Sequence, residues 1–218
     1  MAAGVGSRLR PLSERYAKPV LPIDGRPVIV TLLNELRAAR VERVAVVVGH
    51  LGGQIRALLD GFPLELRFVE QPEALGSGDA VARAEVEPPY LVTGADTVFT
   101  AGDVARFLAA AGEDGAIGVR RIPSDPTNRH GIGVEDGRVT RFHAEGSPVS
   151  GAPLWLVGAA VHDLVMQRPG SPPWELATAF QQALEAGVAV RAVEIGPTRD
   201  LTHPLDCLEQ NFPYLEAL

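Results

Sequence analysis

Apolar and polar positions alternate along this chain in stretches whose spacing predicts helices and strands in turn. Apolar residues recur about every 3.6 positions over residues 27–40, which predicts a helix with a proline at its tolerated first position. Residues 43–49, RVAVVVG, are a β-branched run closed by glycine, a pattern typical of a buried parallel strand. Similar patterns predict helices over 54–59, 79–84, 104–111, 174–186 and 204–210, and strands over 64–69, 90–93, 116–120 and 188–195. This βαβα order predicts an α/β fold, a three-layer sandwich with a mostly parallel sheet.

The rhythm changes between residues 123 and 161. Turn signals at 124–126 and 135–137 separate short apolar stretches there, which predicts an antiparallel meander or a strand pair beside the main sheet. The sequence contains no internal repeat, low-complexity tract or linker. We therefore expect a single domain over residues 1–218.

Composition limits the classes of protein that fit. The mean hydropathy is +0.09, and no stretch approaches the roughly 18 apolar residues of a membrane span or the apolar run of a signal peptide. Cys207 is the only cysteine, which excludes an internal disulfide and favours a reducing, cytoplasmic location. The net charge of -7 argues against nucleic acid as a partner. The five histidines show no metal-ligand spacing.

The first 26 residues are basic in an acidic chain, with five basic against two acidic side chains. They contain the string G-V-G-S-R-L. Leu9 stands where a dinucleotide fingerprint needs glycine, and the chain has no Walker A string. What remains is a glycine turn whose N–H groups can approach phosphate, with Arg8 as a charged donor, or a plain tight turn in a solvated loop.

Lys18 is the only lysine, against 19 arginines. A chain so biased toward arginine meets most surface needs for charge with arginine. A lone lysine therefore indicates a position that needs a compact ammonium, as in a point contact to a phosphoryl oxygen. Chance retention of one lysine is the alternative.

Residues 2–29, AAGVGSRLRPLSERYAKPVLPIDGRPVI, resemble the signature of the sugar-1-phosphate nucleotidyltransferases at the correct internal spacing. Weaker resemblance continues to the C-terminus. In that family the glycine loop wraps the phosphates of a nucleoside triphosphate (NTP). The resemblance implies that Ala3, Gly4, Gly6 and Arg8 contact those phosphates here. It also implies that Arg8 and Lys18 are catalytic, with Lys18 at the reacting phosphates.

A second segment, EQPEALGSGDAV at residues 70–81, resembles the part of the family that reads the nucleotide base. By position, Gln71 would read the base and Gly76 would pack against it. An amide can donate to and accept from a base edge, which suits either a pyrimidine or a purine. A polar loop between strand and helix fits the same residues.

Two further segments imply a Mg²⁺ site. LVTGADTVF places Asp96 at the carboxyl end of a predicted strand, where ligands bind in open α/β sheets, and Ala95 stands where the family has glycine. RDLTHPLDCLEQN resembles the closing segment of the family, which makes Asp200 the second ligand. Two carboxylates suit a hard cation that keeps several waters and bridges phosphates. A turn or capping role is the alternative for Asp200.

The acceptor side matches the family less well. Members often carry E-K-P after a short strand, whereas RFHAEGSP supplies Glu145 without the lysine. Either Arg141 or another arginine replaces that contact, or the acceptor is bound differently. Gly131 resembles a glycine that lets the acceptor approach the backbone.

In the family the A-A-G turn follows a central parallel strand, and Met1 stands where that strand should end. A sheet without its central strand would expose two strand edges. We therefore expect that the natural chain begins several residues upstream, with an apolar strand.

The resemblance implies an enzyme that transfers a nucleoside monophosphate from an NTP to a sugar 1-phosphate, with Mg²⁺, and releases pyrophosphate. Its partners would be the NTP and a phosphorylated small-molecule acceptor, with no membrane and with a homo-oligomer left open. One alternative is a cytidylyltransferase for phosphocholine or a cyclitol phosphate. Another is a catalytically silent regulatory subunit that binds an NDP-sugar.

Overall fold

The computed structural model describes residues 1–122, 131–168 and 170–212, and within these ranges the chain forms eight α-helices and twelve strands. The helices are α1 (Leu12–Arg15), α2 (Val28–Ala38), α3 (Gly52–Leu58), α4 (Ser77–Ala84), α5 (Asp103–Ala110), α6 (Ala159–Gln167), α7 (Leu176–Glu185) and α8 (Asp206–Glu209). The strands are β1 (Pro22–Ile23), β2 (Arg26–Pro27), β3 (Arg43–Val48), β4 (Glu65–Glu70), β5 (Tyr90–Thr93), β6 (Thr97–Val98), β7 (Gly115–Arg121), β8 (Ile132–Glu135), β9 (Arg138–Phe142), β10 (Val149–Val157), β11 (Arg191–Glu194) and β12 (Arg199–Asp200). The predicted turn at 124–126 and His130 lie outside the described residues.

These elements divide into two compact units. The first unit holds residues 1–74, 94–102 and 198–212, and the second holds 75–93, 103–122, 131–168 and 170–197. None of the helices in these ranges is long and apolar enough to cross a membrane. The assignment of the whole chain to a single domain stays a prediction.

In the first unit, a parallel pair of strands carries the segments that lead into the site. β3 pairs with β4 in register from Arg43↔Glu65 to Val48↔Glu70. The last three residues of β3, all valine, are at most 4% exposed, as expected of a β-branched run in a parallel pair. α2 buries the apolar face predicted by its spacing: Val28, Ile29, Leu32, Leu33 and Leu36.

The first two residues pair with backbone on both sides. Ala2 forms a parallel bridge with Val48, and its N–H donates to the carbonyl of Val47 at 2.7 Å. The carbonyl of Met1 accepts from Ala95 N at 2.9 Å. Met1 and Ala2 thus lie beside β3 and beside the segment that leads into β6. The expected upstream strand stays a prediction.

The second unit contains a six-stranded sheet in the order β5-β10-β7-β11-β9-β8. The α/β class is confirmed, but this sheet is mixed rather than mostly parallel: β7 and β11 are parallel and its other paired strands are antiparallel. Two strands account for this: β10, with alternating burial, pairs antiparallel with both β5 and β7, and β9 pairs antiparallel with both β11 and β8. The antiparallel element predicted within 123–161 is therefore part of the main sheet of this unit, not a separate pair beside it.

Candidate active site

The glycine turn lies on the surface of the first unit, directly after Ala2 and the buried Ala3. Gly6 has a φ of +65°, a left-handed conformation that glycine adopts without steric cost. A Cβ on Gly6 would also come within 3.3 Å of Ser13 Cβ. The chain then forms a short 3-10 turn over Ser7–Leu9, in which Leu9 is buried and Arg8 is exposed. Leu9 thus anchors a turn that presents an arginine to solvent.

Lys18 begins a second 3-10 turn, Lys18–Val20, in which Pro19 is buried. Its Nζ donates a hydrogen bond to Asp96 Oδ2 at 2.5 Å. The Lys18 side chain is 14% exposed and that of Asp96 is 36% exposed. The ammonium is therefore largely enclosed, while solvent, and hence a ligand, can reach the carboxylate beside it.

Asp96 and Asp200 come from segments about a hundred residues apart, and the structure brings them together in the first unit. Asp96 immediately precedes β6, and β6 pairs antiparallel with β12 so that Asp200 is the partner of Thr97. Opposite residues of an antiparallel pair have Cα atoms only about 4.5 to 5.5 Å apart. The Asp200 side chain is exposed, and Thr202 Oγ1 donates to its Oδ2 at 3.4 Å. Lys18, Asp96 and Asp200 thus lie within one unit, and the roles given to them stay predictions.

An ion pair between Arg199 on β12 and Asp24 helps to hold β12 in place. Both terminal nitrogens of the Arg199 guanidinium donate to the carboxylate of Asp24, in the turn between β1 and β2. The hydrogen bonds from Arg199 lower the pKa of Asp24 below its usual value. This bidentate contact holds the strand that carries Asp200 against the β1–β2 hairpin.

Asp206, which follows in the closing segment, stabilises the chain between β12 and α8. Burial alone would raise the pKa of Asp206, but hydrogen bonds from the N–H groups of His203 and Thr202 and the charge of His203 act in the opposite direction, and the pKa is lowered. The positive charge of Lys18 lowers it further. The closing segment therefore places a second carboxylate within the electrostatic influence of Lys18.

Gln71 follows β4 and is 5% exposed. Its N–H donates to the carbonyl of Val48 at 2.8 Å. Gly49 directly follows β3, and a Cβ there would come within 2.9 Å of the carbonyl oxygens of both Ala3 and Gln71. The backbones of two predicted nucleotide-binding residues therefore meet at Gly49, which the sequence interpretation did not single out. Its signal was the glycine that closes the β-branched run.

The other three predicted residues, Gly76, Gly131 and Glu145, lie in the second unit, and the two glycines are tightly packed. Gly76 has a φ of +99°, and a Cβ there would lie 2.2 Å from the carbonyl oxygen of Trp174. A Cβ on Gly131 would lie 1.9 Å from the carbonyl oxygen of Ala144. Close backbone contacts within the protein thus account for both glycines. Glu145 is exposed, and the roles given to these three residues stay predictions.

The protein side chains present could supply only some of the ligands of a magnesium ion. Within the described ranges, no group of three or more His, Cys, Asp or Glu side chains is placed to hold a metal. Two carboxylates remain, Asp96 just before β6 and Asp200 on β12, and Mg²⁺ is commonly bound by one or two carboxylates together with waters and substrate phosphates. The observed features are an α/β fold, a lysine in contact with one of these carboxylates, and an exposed glycine turn near the start of the same unit.

Comparison with known proteins identifies the class of protein. The sequence matches the family of the MobA-like NTP transferase domain over residues 1–194, and the chain belongs to this family. A glucose-1-phosphate thymidylyltransferase from Streptomyces antibioticus is 30% identical over 240 residues, which cover 100% of this chain. The chain spans 66% of the length of that relative. The predicted resemblance to sugar-1-phosphate nucleotidyltransferases is confirmed.

Solved structures show the same fold. A UDP-glucose pyrophosphorylase complexed with UDP-glucose superposes with a TM-score of 0.83 at 16% identity, over 100% of this chain and 97% of that one. An inositol-1-phosphate CTP transferase from T. maritima gives a TM-score of 0.80 at 19% identity, over 94% and 88% of the two chains. At these identities the likeness shows the fold alone.

Proposed function

We propose that this protein is a Mg²⁺-dependent nucleotidyltransferase that transfers a nucleoside monophosphate from an NTP to a sugar 1-phosphate. The observation that supports this most directly is the contact of Lys18 with Asp96, beside the strand pair that carries Asp200. Family membership supports nucleotidyl transfer. The relative from Streptomyces antibioticus is named a glucose-1-phosphate thymidylyltransferase, which supports a sugar 1-phosphate as the acceptor.

The reaction needs no protein nucleophile. An oxygen of the acceptor phosphate forms a bond to the α-phosphorus of the NTP, and the bond from the α-phosphorus to the bridging oxygen breaks. Pyrophosphate leaves with that electron pair. The protein contributes position and charge, the general logic of such transfers.

Each predicted residue has a separate part in this proposal. The glycine turn of Ala3, Gly4 and Gly6 would cradle the triphosphate with Arg8, and Lys18 would neutralise charge that develops at the α-phosphate. Asp96 and Asp200 would hold Mg²⁺, which supplies charge neutralisation to the phosphate oxygens when bound.

The remaining roles concern the base and the acceptor. Gln71 would read the base edge with its amide, and Gly76 would pack against the base. On the acceptor side, Gly131 and Glu145 would line the sugar phosphate. Arg141, exposed on β9, or another arginine would replace the absent lysine at the acceptor phosphate.

The likeness in fold to an inositol-1-phosphate CTP transferase supports a second candidate, cytidylyl transfer to phosphocholine or a cyclitol phosphate. The missing acceptor lysine supports a third, a regulatory subunit that binds an NDP-sugar without turnover. We further propose a cytoplasmic protein without nucleic acid or membrane partners, and its oligomeric state is open.

Pyrophosphate release separates these candidates. The panel crosses five NTPs (dTTP, UTP, CTP, GTP and ATP) with glucose 1-phosphate, other sugar 1-phosphates, myo-inositol 1-phosphate and phosphocholine, in Mg²⁺ and in EDTA. We expect release that needs an NTP, a sugar 1-phosphate and Mg²⁺ together. Release only with CTP and a non-sugar acceptor would favour the second candidate. Binding of an NDP-sugar with no release from any pair would overturn the enzyme assignment.

A further inference from the structure

Two side chains hold the backbone of the loop that leads into the lysine turn. Gln54 Nε2 donates a hydrogen bond to the carbonyl of Arg15 at 2.7 Å, and Gln54 Oε1 accepts one from Ala17 N at 2.9 Å. His50 Nε2 donates to the carbonyl of Ser13 at 2.9 Å. We call His50 and Gln54 the loop clamp. Both follow β3 in sequence, four positions apart.

The clamped loop has little support of its own. α1 has four residues, far fewer than an isolated helix needs for stability. Tyr16 is extended and 50% exposed, so its side chain is not a buried anchor. Ala17 is 2% exposed, and a buried N–H at such a position needs an acceptor. Gln54 supplies that acceptor.

The position of Lys18 follows from this support. Ala17 directly precedes Lys18, and α3 packs against the turn Lys18–Val20. Because one amide bridges Arg15 and Ala17, it sets the direction in which the backbone enters that turn. The backbone of Lys18 lies in this turn, and the end of its side chain, Nζ, contacts Asp96.

We propose that Gln54, supported by His50, is a positioning residue that holds the backbone at Ala17 so that the Lys18 ammonium stands at Asp96. The inference rests on the proposed function, because the place of Lys18 matters for catalysis only if Lys18 acts on the substrate. The hydrogen bonds themselves are independent of any substrate, so they can be tested without turnover.

The first test uses the single lysine of the chain. Selective ¹³C labelling of lysine gives signals from Lys18 alone. We expect Gln54→Met to move the Lys18 Cε signal in the same direction as Asp96→Asn does. We also expect amide exchange at Ala17 to accelerate by about tenfold or more, since its acceptor is removed.

Gln181→Met is the matched control. The Gln181 amide also accepts from a backbone N–H, that of Phe142 at 2.9 Å, but from α7 in the second unit. It should leave both the Lys18 signal and the exchange of Ala17 unchanged. Faster exchange at Ala17 with an unmoved Lys18 signal would mean that Gln54 supports the loop only. Unchanged exchange at Ala17 would remove the clamp altogether.

The second test is a double-mutant cycle in the transfer reaction. We expect Gln54→Met to lower kcat by about 10- to 100-fold with the KM of the acceptor within about twofold, because small displacements of a catalytic group are costly. In a Lys18→Ala background the same change should cost less than about twofold. Full additivity would overturn the proposal. If the wild type shows no turnover, the proposed function fails, while the lysine signal and the exchange at Ala17 still decide the clamp.

Discussion

At the residue scale, Lys18 is the one basic position that carries lysine in a chain whose other 19 basic residues, histidine aside, are arginine. Its side chain is 14% exposed, and its ammonium lies 2.5 Å from a carboxylate oxygen of Asp96. A guanidinium is larger, planar and forked, so it would not occupy this enclosed position as a point charge. The structure therefore gives a steric reason for one lysine among 19 arginines.

This reason leads to a prediction for two substitutions. Lys18→Ala should lower kcat by about 10²- to 10³-fold. The kcat of Lys18→Arg should stay below about a tenth of the wild-type value, because a positive charge alone is not sufficient. Steady-state kinetics with the active substrate pair measures both. Arg37→Ala, on the exposed end of α2, is the control, and urea unfolding checks that the fold is intact. Wild-type rates in Lys18→Ala would remove Lys18 from the mechanism.

At the element scale, the accuracy of prediction follows how local each signal is. α2 spans Val28–Ala38 against a predicted 27–40, and β3 spans Arg43–Val48 against 43–49, since the spacing lies within each element. α6 was not predicted, and only Val161 and Val165 of its nine residues are buried, which leaves a weak apolar pattern. β6 and β12 have two residues each, too short for any periodicity. Their pairing depends on contacts a hundred residues apart.

The loop between β12 and α8 gives a prediction at this scale. Asp206 Oδ2 accepts from the N–H groups of Thr202 at 2.5 Å and His203 at 2.8 Å. Asp206→Asn keeps an oxygen acceptor but loses the charge, and it should lower the free energy of unfolding at pH 7 by about 1 kcal/mol. Urea unfolding of the wild type and the variant measures the difference.

The pH dependence of that difference is fixed by the pKa shift. The pKa of Asp206 is lowered below its usual 3.8 in the folded state. A lowered carboxyl pKa contributes stability that is present above 3.8 and is lost as the pH falls through the folded value. The gap between wild type and Asp206→Asn should therefore close below pH 3.8. Glu209→Gln, exposed in the same helix, should show no such gap, and a gap that persists in acid would contradict the assignment.

At the scale of the whole molecule, the α/β class could be predicted because most of the longer strands and helices leave a periodic pattern and alternate along the chain. The mixed order of the six-stranded sheet could not, since β10 pairs with β5 and β7 through contacts distant in sequence. The candidate site has the same character. Spacing alone could not join residue 18 to residues 96 and 200, and the family resemblance supplied that link. The loop clamp had no sequence signal, because a glutamine that caps backbone groups resembles any polar residue.

Binding of an NTP with Mg²⁺ at the candidate active site should raise the melting temperature of the protein. A ligand that binds only the folded state at 100 times its Kd adds about 2.7 kcal/mol, which for a chain of this size raises Tm by about 5 to 10 °C. We expect a shift of that size when the NTP and Mg²⁺ are added together, and a smaller one when EDTA replaces Mg²⁺. The variants Asp96→Asn and Asp200→Asn should lose the Mg²⁺-dependent part, because each removes one of the two carboxylates proposed to hold the ion. An equal shift in EDTA would mean that NTP binding does not use Mg²⁺. A Mg²⁺-dependent shift that survives both substitutions would place the ion elsewhere and leave the two aspartates with a structural role.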